Sequence, residues 1–249
     1  MLKDERLNYI LEEIRTYNKV KSSELSKHLN VSEDTIRRDL KELSDSGKIK
    51  KVHGGAMAAS YLPYRFKDRE IYAHEEKVKI VRKAVNLIKD DNVVIVDGGT
   101  TNLELVRLLP RDLKATFFTN CLPVATQLTE YENIEVFFIG GRVLKNAQVA
   151  IGLDVINALK DIRSDICFVG TRSIHHEAGI TDIDREEAQV KRAIIDSSNQ
   201  VVSLAISEKL DVIQPFVVGN IQSVNTIVTE LNPDNKIFRP YKKMAIEVI

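Results

Sequence analysis

Between residues 93 and 228, short apolar runs alternate with stretches of helical periodicity. This alternation constrains the fold more than any other feature of the chain. The apolar runs are Val93–Val96, Thr116–Thr119, Glu135–Ile139, Ile166–Val169, Val201–Leu204 and Thr226–Val228, each read as a strand. Helical patterns lie near 76–88, 102–109, 123–130, 154–160 and 186–197. Apolar strands interleaved with helices predict a mostly parallel sheet covered on both faces, an α/β fold. Such a sheet takes ligands at the carboxyl ends of its strands.

The chain has 249 residues, a length that allows one or two domains. Its composition is that of a globular protein, 43% apolar and 29% charged. No run of about 18 apolar residues is present, so no membrane partner is expected. The opening MLKDERLNYI mixes charges with its apolar residues and does not read as a signal peptide. The two cysteines, Cys121 and Cys167, suit a reducing cytoplasm better than a disulfide framework. Five scattered histidines form no metal motif, and neither metal nor cofactor is expected.

All six prolines follow residue 62, so the first fifty residues read as helical. A helix from about Asp4 to Thr16 carries Leu7, Ile10, Leu11 and Ile14 on one face. A second opens at Ser22 or Ser23, either of which can cap it, and buries Leu25 and Leu29. Asn30 tolerates the left-handed turn that follows, and Val31 fills the angle between helices. Ser32 caps a third helix with Ile36, Leu40 and Leu43 inward, and Gly47 ends it. The tail KIKKVHGG reads as a β-wing. The small-residue stretch Gly54–Tyr64 marks a junction. The expected domains are 1–57, a linker at 58–76, and 77–249.

With its apolar stripe inward, the third helix turns Arg38 and Lys41 outward, flanked by Thr35 and Arg37. Arginine can grip guanine O6 and N7 together, and threonine can touch the thymine methyl. Ser22, Ser32, Lys48, Lys50, Lys51 and His53 are candidates for phosphate contacts. A solvated charged helix would explain the same pattern, but the wing and the tight spacing favour DNA. The net charge of zero does not oppose this, because charge can divide between domains.

Glycine pairs Gly98–Gly99 and Gly140–Gly141 each follow an apolar strand. Glycine lets backbone N–H groups approach an anion closely. In VVIVDGGTTNLEL the strand ends at Asp97, and Thr100, Thr101 and Asn102 open a helix, an arrangement that suits phosphate. It is neither GxxxxGK[ST] nor GxGxxG, which argues against nucleotide and dinucleotide sites. A tight turn with an ordinary cap would look the same. At other strand ends Asn120 could bond a sugar hydroxyl, Arg142 and Arg172 could add charge, and Gly152 could allow a close contact. Lys191 and Lys209, each taken alone, read as solvated charges.

The runs SSELSKHLNVSEDTIRRDLKEL and GKIKKVHGGA resemble the winged helix-turn-helix of the DeoR family of bacterial repressors. The stretches DGGTTNLEL, TNCLPVATQL, FFIGGRV, DICFVGTRSI and EEAQVKRAII resemble that family's sensor domain. The resemblance implies a winged helix-turn-helix followed by an α/β domain similar to sugar-phosphate isomerases. It also implies a homodimer or homotetramer on operator DNA and a phosphorylated sugar as effector. By motif match, the effector residues are Gly99, Thr100, Thr101, Asn120, Gly141, Lys191 and Lys209, and the strand-end reading adds Asp97, Gly98, Gly140, Arg142 and Arg172 as effector-binding candidates. Two positions depart from the family's pattern. Ile206–Ser207–Glu208–Lys209 replaces an Asp–Ser–Ser–Lys-like run, and Arg172 stands where a small or acidic residue is common.

Two other functions compete with a sugar-phosphate-responsive repressor. An isomerase or hydrolase would need a base, for which Asp97, Asp182, Asp184, Glu186 and Glu187 are candidates. However, no carboxylate pair stands out, and arginine at 172 stays protonated. A regulator controlled by a protein partner would have little use for the GGTTN loop.

Overall fold

The computed structural model describes residues 2–17, 19–46, 48–58 and 65–249. The chain divides into two compact units, Met1–Leu62 and Pro63–Ile249. Gly47 and much of the Gly54–Tyr64 junction lie outside the described residues, as does the side chain of Lys50.

In the first unit, α1 (Lys3–Tyr17), α2 (Ser22–Leu29) and α3 (Glu33–Asp45) pack around Ile10, Ile14, Leu25, Ile36, Leu40 and Leu43. Each such burial contributes roughly 1.5–3 kcal/mol. Asn30 takes the left-handed conformation at φ 51° that ends α2, and Ser32 caps α3 by accepting from the Thr35 N–H at 3.2 Å. Strands β1 (Lys19–Lys21), β2 (Ile49–Val52) and β3 (Gly55–Ala58) form the wing in the antiparallel order β1-β3-β2. Gly55 is required there, because a Cβ would lie 2.0 Å from the Val20 carbonyl oxygen. Neither Ser22 nor Ser23 caps α2. The N-cap is Lys21, without a side-chain bond, and the Ser22 N–H donates to the Gly54 carbonyl at 2.8 Å. The wing turn thus takes over the role expected of a serine cap. One tie has no helical periodicity to announce it. Arg6 grips Asp39 through two bonds, of 2.5 and 3.1 Å, joining α1 to α3.

The second unit begins with α4 (Phe66–Ile71) and α5 (His74–Ala84). Among the described residues its main sheet has seven parallel strands. In chain order they are β4 (Val93–Val96), β5 (Ala115–Thr119), β6 (Ile134–Phe138), β9 (Ser164–Val169), β12 (Ser198–Leu204), β14 (Thr226–Val228) and β15 (Glu247–Val248). Helices α6 (Thr100–Arg107), α7 (Leu122–Leu128), α8 (Leu153–Lys160) and α9 (Arg185–Asp196) connect them, and α10 (Arg239–Lys242) precedes β15. Val94, Ile95 and Val96 are buried beside Ile166 and Phe168 because the central strands have no solvent face.

The spatial order is β15-β14-β12-β9-β4-β5-β6. From β4 the chain winds outward through β5 to β6. It then returns to β9 on the other side and winds out again through β12 and β14. The reversal falls between β4 and β9, and a crevice at their carboxyl ends is the natural ligand position. The hairpin β7 (Arg142–Leu144) with β8 (Val149–Ile151), and the antiparallel sheet β10 (Ser173–His175), β11 (Gly179–Asp182) and β13 (Phe216–Gly219), are additions to the expected strands. Each has only three or four residues, too few to show a period. Among the described residues no helix is long and apolar enough to cross a membrane.

Candidate functional site

On the first unit the outer face of α3 carries Arg37 and Arg38, with side chains 62% and 82% exposed. Each pairs one turn back along the helix, Arg37 with Glu33 at 3.6 Å and Arg38 with Asp34 at 3.0 Å. Such exposed pairs contribute little and are readily exchanged for another anion. Lys41, Lys48, Lys51 and His53 are exposed as well. Thr35 is half-buried, and its hydroxyl shares a 2.9 Å bond with the Ser32 hydroxyl. Ser22 is buried, so its surface is the least available of the expected phosphate contacts.

On the second unit the expected residues converge where β4 and β9 end. Asp97 is buried, and its Oδ2 accepts from the Gly170 N–H at 2.8 Å across the crevice. Burial pushes its carboxyl up to about 6, against the pull of Lys191 and of the Gly98 and Gly170 N–H groups. Gly98 and Gly170 are there for space. A Cβ on Gly98 would lie 2.2 Å from Val149 Cγ1, and one on Gly170 would lie 2.0 Å from the Gly98 carbonyl oxygen. Gly99, at φ 154°, caps α6 without a side chain, so no side chain covers the first-turn N–H groups. Gly170→Ala is therefore expected to cost about 2 kcal/mol, near the middle of the range for overpacking. In a thermal melt this would lower the transition by roughly 4–8 °C. An unchanged melt would show that the crevice yields more easily than this contact allows.

Thr101 Oγ1 and Asn120 Oδ1, at this end of the sheet, are buried without a hydrogen-bond partner. Asn120 Nδ2 is used, donating to the Ala150 carbonyl at 3.1 Å. Asn102 is a staple, donating to the Asp97 and Phe168 carbonyls at 3.0 and 2.9 Å. Lys209 donates to the Thr171 carbonyl at 2.6 Å. Burial holds its ammonium well below the ordinary lysine range, and the charges of Arg69, Arg172, Lys77 and Lys191 push it the same way. A group of cations so placed is suited to an anion.

Not every expected residue joins this cluster. Gly140 and Arg142 are exposed, and Arg142 is ion-paired with Glu186. Gly141 serves packing, since a Cβ there would lie 2.8 Å from Val155 Cγ2. Lys191 lies close enough to act on both Asp97 and Lys209, but its ammonium is already engaged, at 2.5 Å from Asp182 and 2.7 Å from Glu187. Arg69 and Lys77, by contrast, belong to the cluster, although neither is among the residues expected from the sequence. A signal for Lys77 was present. It occupies the apolar stripe of α5 with Ile80, Val81 and Ala84, all buried.

Comparison with known proteins identifies a family for each unit. The DeoR-like helix-turn-helix domain matches residues 6–61, and the DeoR C terminal sensor domain matches residues 72–231. The transcriptional regulator GolR of Listeria innocua is 35% identical over 98% of this chain and 97% of its own length. The transcriptional repressor GlcR of Bacillus subtilis is 30% identical, covering 100% of this chain and 96% of its own. The glycerol-3-phosphate regulon repressor of Escherichia coli is 30% identical over 94% and 93%. Among solved structures, ribose 5-phosphate isomerase A of Methanocaldococcus jannaschii aligns with a TM-score of 0.41 and 19% identity, over 55% of this chain and 54% of that one. The relatives matched along nearly their full length are named as regulators and repressors, which sets the enzymatic alternative aside. The chain belongs to the DeoR family of DNA-binding transcriptional regulators.

Proposed function

We propose that this chain represses a sugar-metabolism operon and leaves its operator when a phosphorylated sugar, or a related phosphometabolite, binds at the β4–β9 crevice. The observation that carries this reading is the cation group around Lys209, whose ammonium donates to the Thr171 carbonyl beyond β9, together with the α6 N-terminus beyond β4, which no side chain caps. The phosphate takes the first-turn N–H groups of α6 and the charges of Lys209 and its neighbours. Asn120 Oδ1 and Thr101 Oγ1 both lack partners, so Asn120 Oδ1 accepts from a sugar hydroxyl and the Thr101 hydroxyl donates to a phosphate oxygen. Asp97 accepts from a sugar hydroxyl. On the DNA side Arg37, Arg38 and Thr35 reach base edges, while Ser32, Lys41, Lys50, Lys51 and His53 hold the backbone. Two copies, as a homodimer or within a homotetramer, would present paired recognition helices to a symmetric operator in the cytoplasm. The domain assignment goes with this reading: DNA binding in 1–57, a linker at 58–76, and effector sensing and assembly in 77–249.

Fluorescence anisotropy of labelled DNA from upstream of the protein's own gene tests the reading. Ribose, glucosamine and fructose phosphates are then added beside the unphosphorylated sugars. Release by a phosphorylated sugar alone is expected. Release by unphosphorylated sugars at equal concentration would reject the anion site.

The lysines add a pH signature. Burial pushes Lys77 down to about 8, and Lys209 also lies well below its ordinary value. A bound anion favours their charged forms, so binding takes up protons. Between pH 7.5 and 9 a phosphate monoester stays dianionic, its second pKa being about 6. The proton must then come from solvent, and affinity is expected to fall roughly tenfold across that interval. Titration calorimetry in two buffers of different ionisation enthalpy measures the uptake directly. Affinity independent of pH would remove the lysines from the site.

A further inference from the structure

The stretch of the second unit that comes first in the chain forms one wall of the anion cluster. α4 and the start of α5 meet at a corner whose Ala73 adopts φ 51°, a backbone that a non-glycine residue holds only where its surroundings impose it. On one side of the corner, the Arg69 carbonyl accepts from Thr100 Oγ1 at 3.3 Å and from Lys77 Nζ. On another side, the Tyr72 hydroxyl donates to Glu208, the neighbour of Lys209 in sequence. Glu70 accepts from Arg107 of α6 at 2.8 Å. The corner is thus fastened to both loops that would hold a phosphate, the one after β4 and the one after β12. Arg69 has its guanidinium 5.7 Å from the Phe66 ring centre, yet its Nε is buried without an acceptor. A buried N–H left unmade is unfavourable, and a phosphate oxygen is the acceptor such a group prefers.

Resting on the proposed effector reading, we propose that Arg69 is both a phosphate ligand and the residue through which occupancy is transmitted. A phosphate oxygen accepting from Arg69 Nε ties the α4–α5 corner to the crevice. This corner belongs to the second unit and lies in the 58–76 stretch assigned to the linker, between the DNA-binding residues and the sensor in sequence. Pinning it couples occupancy of the crevice to operator release. Effector shifts the equilibrium only through differential affinity for the two states. Arg69 supplies that difference, because its position depends on the corner.

The test uses the full chain in three forms: wild type, Arg69→Gln and Lys209→Ala. Binding of inorganic phosphate is measured by calorimetry. Operator anisotropy is followed at saturating concentration of whichever panel phosphate releases the wild type. Arg69→Gln is expected to weaken phosphate binding about tenfold and to lower the maximal release even at saturation. Lys209→Ala is expected to weaken binding but to keep full release once saturated. Wild-type phosphate affinity in Arg69→Gln would overturn the ligand role. Weakened binding with full release at saturation would overturn the transmitting role. If the wild type binds no phosphate and answers to no panel member, the effector reading fails and this inference fails with it. Should Arg69→Gln lose its fold by circular dichroism, Arg69→Lys serves instead. It keeps the charge but lacks Nε, and the same two outcomes decide.

Discussion

Replacing Arg37 and Arg38 together with alanine is expected to weaken operator binding by at least about thirtyfold while leaving the fold intact. Each arginine that grips a guanine bidentately is worth about 1–3 kcal/mol of discrimination. Two such contacts sum to about 2–6 kcal/mol, or roughly thirtyfold to more than a thousandfold. Stability is expected to hold because both side chains are exposed and their partners Glu33 and Asp34 are surface groups. The loss should fall on operator DNA and much less on scrambled DNA at the same salt. Lys51→Ala provides the contrast, since a phosphate contact weakens all sequences alike and lowers the salt slope by about one. Anisotropy with both DNAs at several salt concentrations separates the two effects. A double variant with unchanged affinity and specificity would remove α3 from base recognition.

The residues differ in how far their roles could be read from sequence, and the reason is range. Helix stripes and apolar strands are local signals. Ile36, Leu40 and Leu43 point inward at helical spacing, and all three are buried. The parallel character of the main sheet follows from the same alternation, but its order does not, because the connection from β6 to β9 crosses β5 and β4. The loop after β4 was legible for the same reason, as a glycine pair between an apolar strand and a helix. What escaped depends on contacts distant in sequence. Arg6 meets Asp39 from 33 residues away, and Arg69 acts on Lys209 from the far end of the unit. The wing turn that displaced the Ser22 cap comes from Gly54. Buried charges on apolar stripes are the signal that could have crossed this gap. Lys77 on α5 and Lys191 on α9 both occupy positions where a hydrophobic residue is the default, and a charge there requires a partner.

Lys191 carries the second large expectation, and it concerns stability more than ligand binding. Its ammonium lies 2.5 Å from Asp182 and 2.7 Å from Glu187, with only 3% of its side chain exposed. Burial alone would lower its pKa, but Asp182, Glu187 and Asp97 together raise it above the ordinary range. Burial would likewise raise Asp182, yet the charge and hydrogen bond of Lys191, with the Asp184 and Ile183 N–H groups, hold it below the usual value. Lys191→Met keeps the stem and removes the charge, leaving Asp182, Glu187 and Asp97 without their common partner. Breaking a buried pair in this way costs about 3–5 kcal/mol. For a unit of this size, that is a drop of roughly 6–20 °C in the melting transition. The pH dependence has a definite sign. In the wild type, the low pKa of Asp182 gives stability that is present above its unfolded value and lost as pH falls through the folded one. In Lys191→Met the orphaned carboxyls have raised pKa values, so their contribution is lost as pH rises instead. Both effects make the gap between wild type and variant widest near pH 7.5 and narrower near pH 5. Thermal melts at the two pH values test this. A variant that melts like the wild type but no longer answers a sugar phosphate would return Lys191 to the ligand site, and Asp182 would have to find its counter-charge elsewhere. If the melt falls as expected, the triad of Asp182, Lys191 and Glu187 is the support that fixes the Asp97 side of the crevice. The anion is then left to the cations around Lys209.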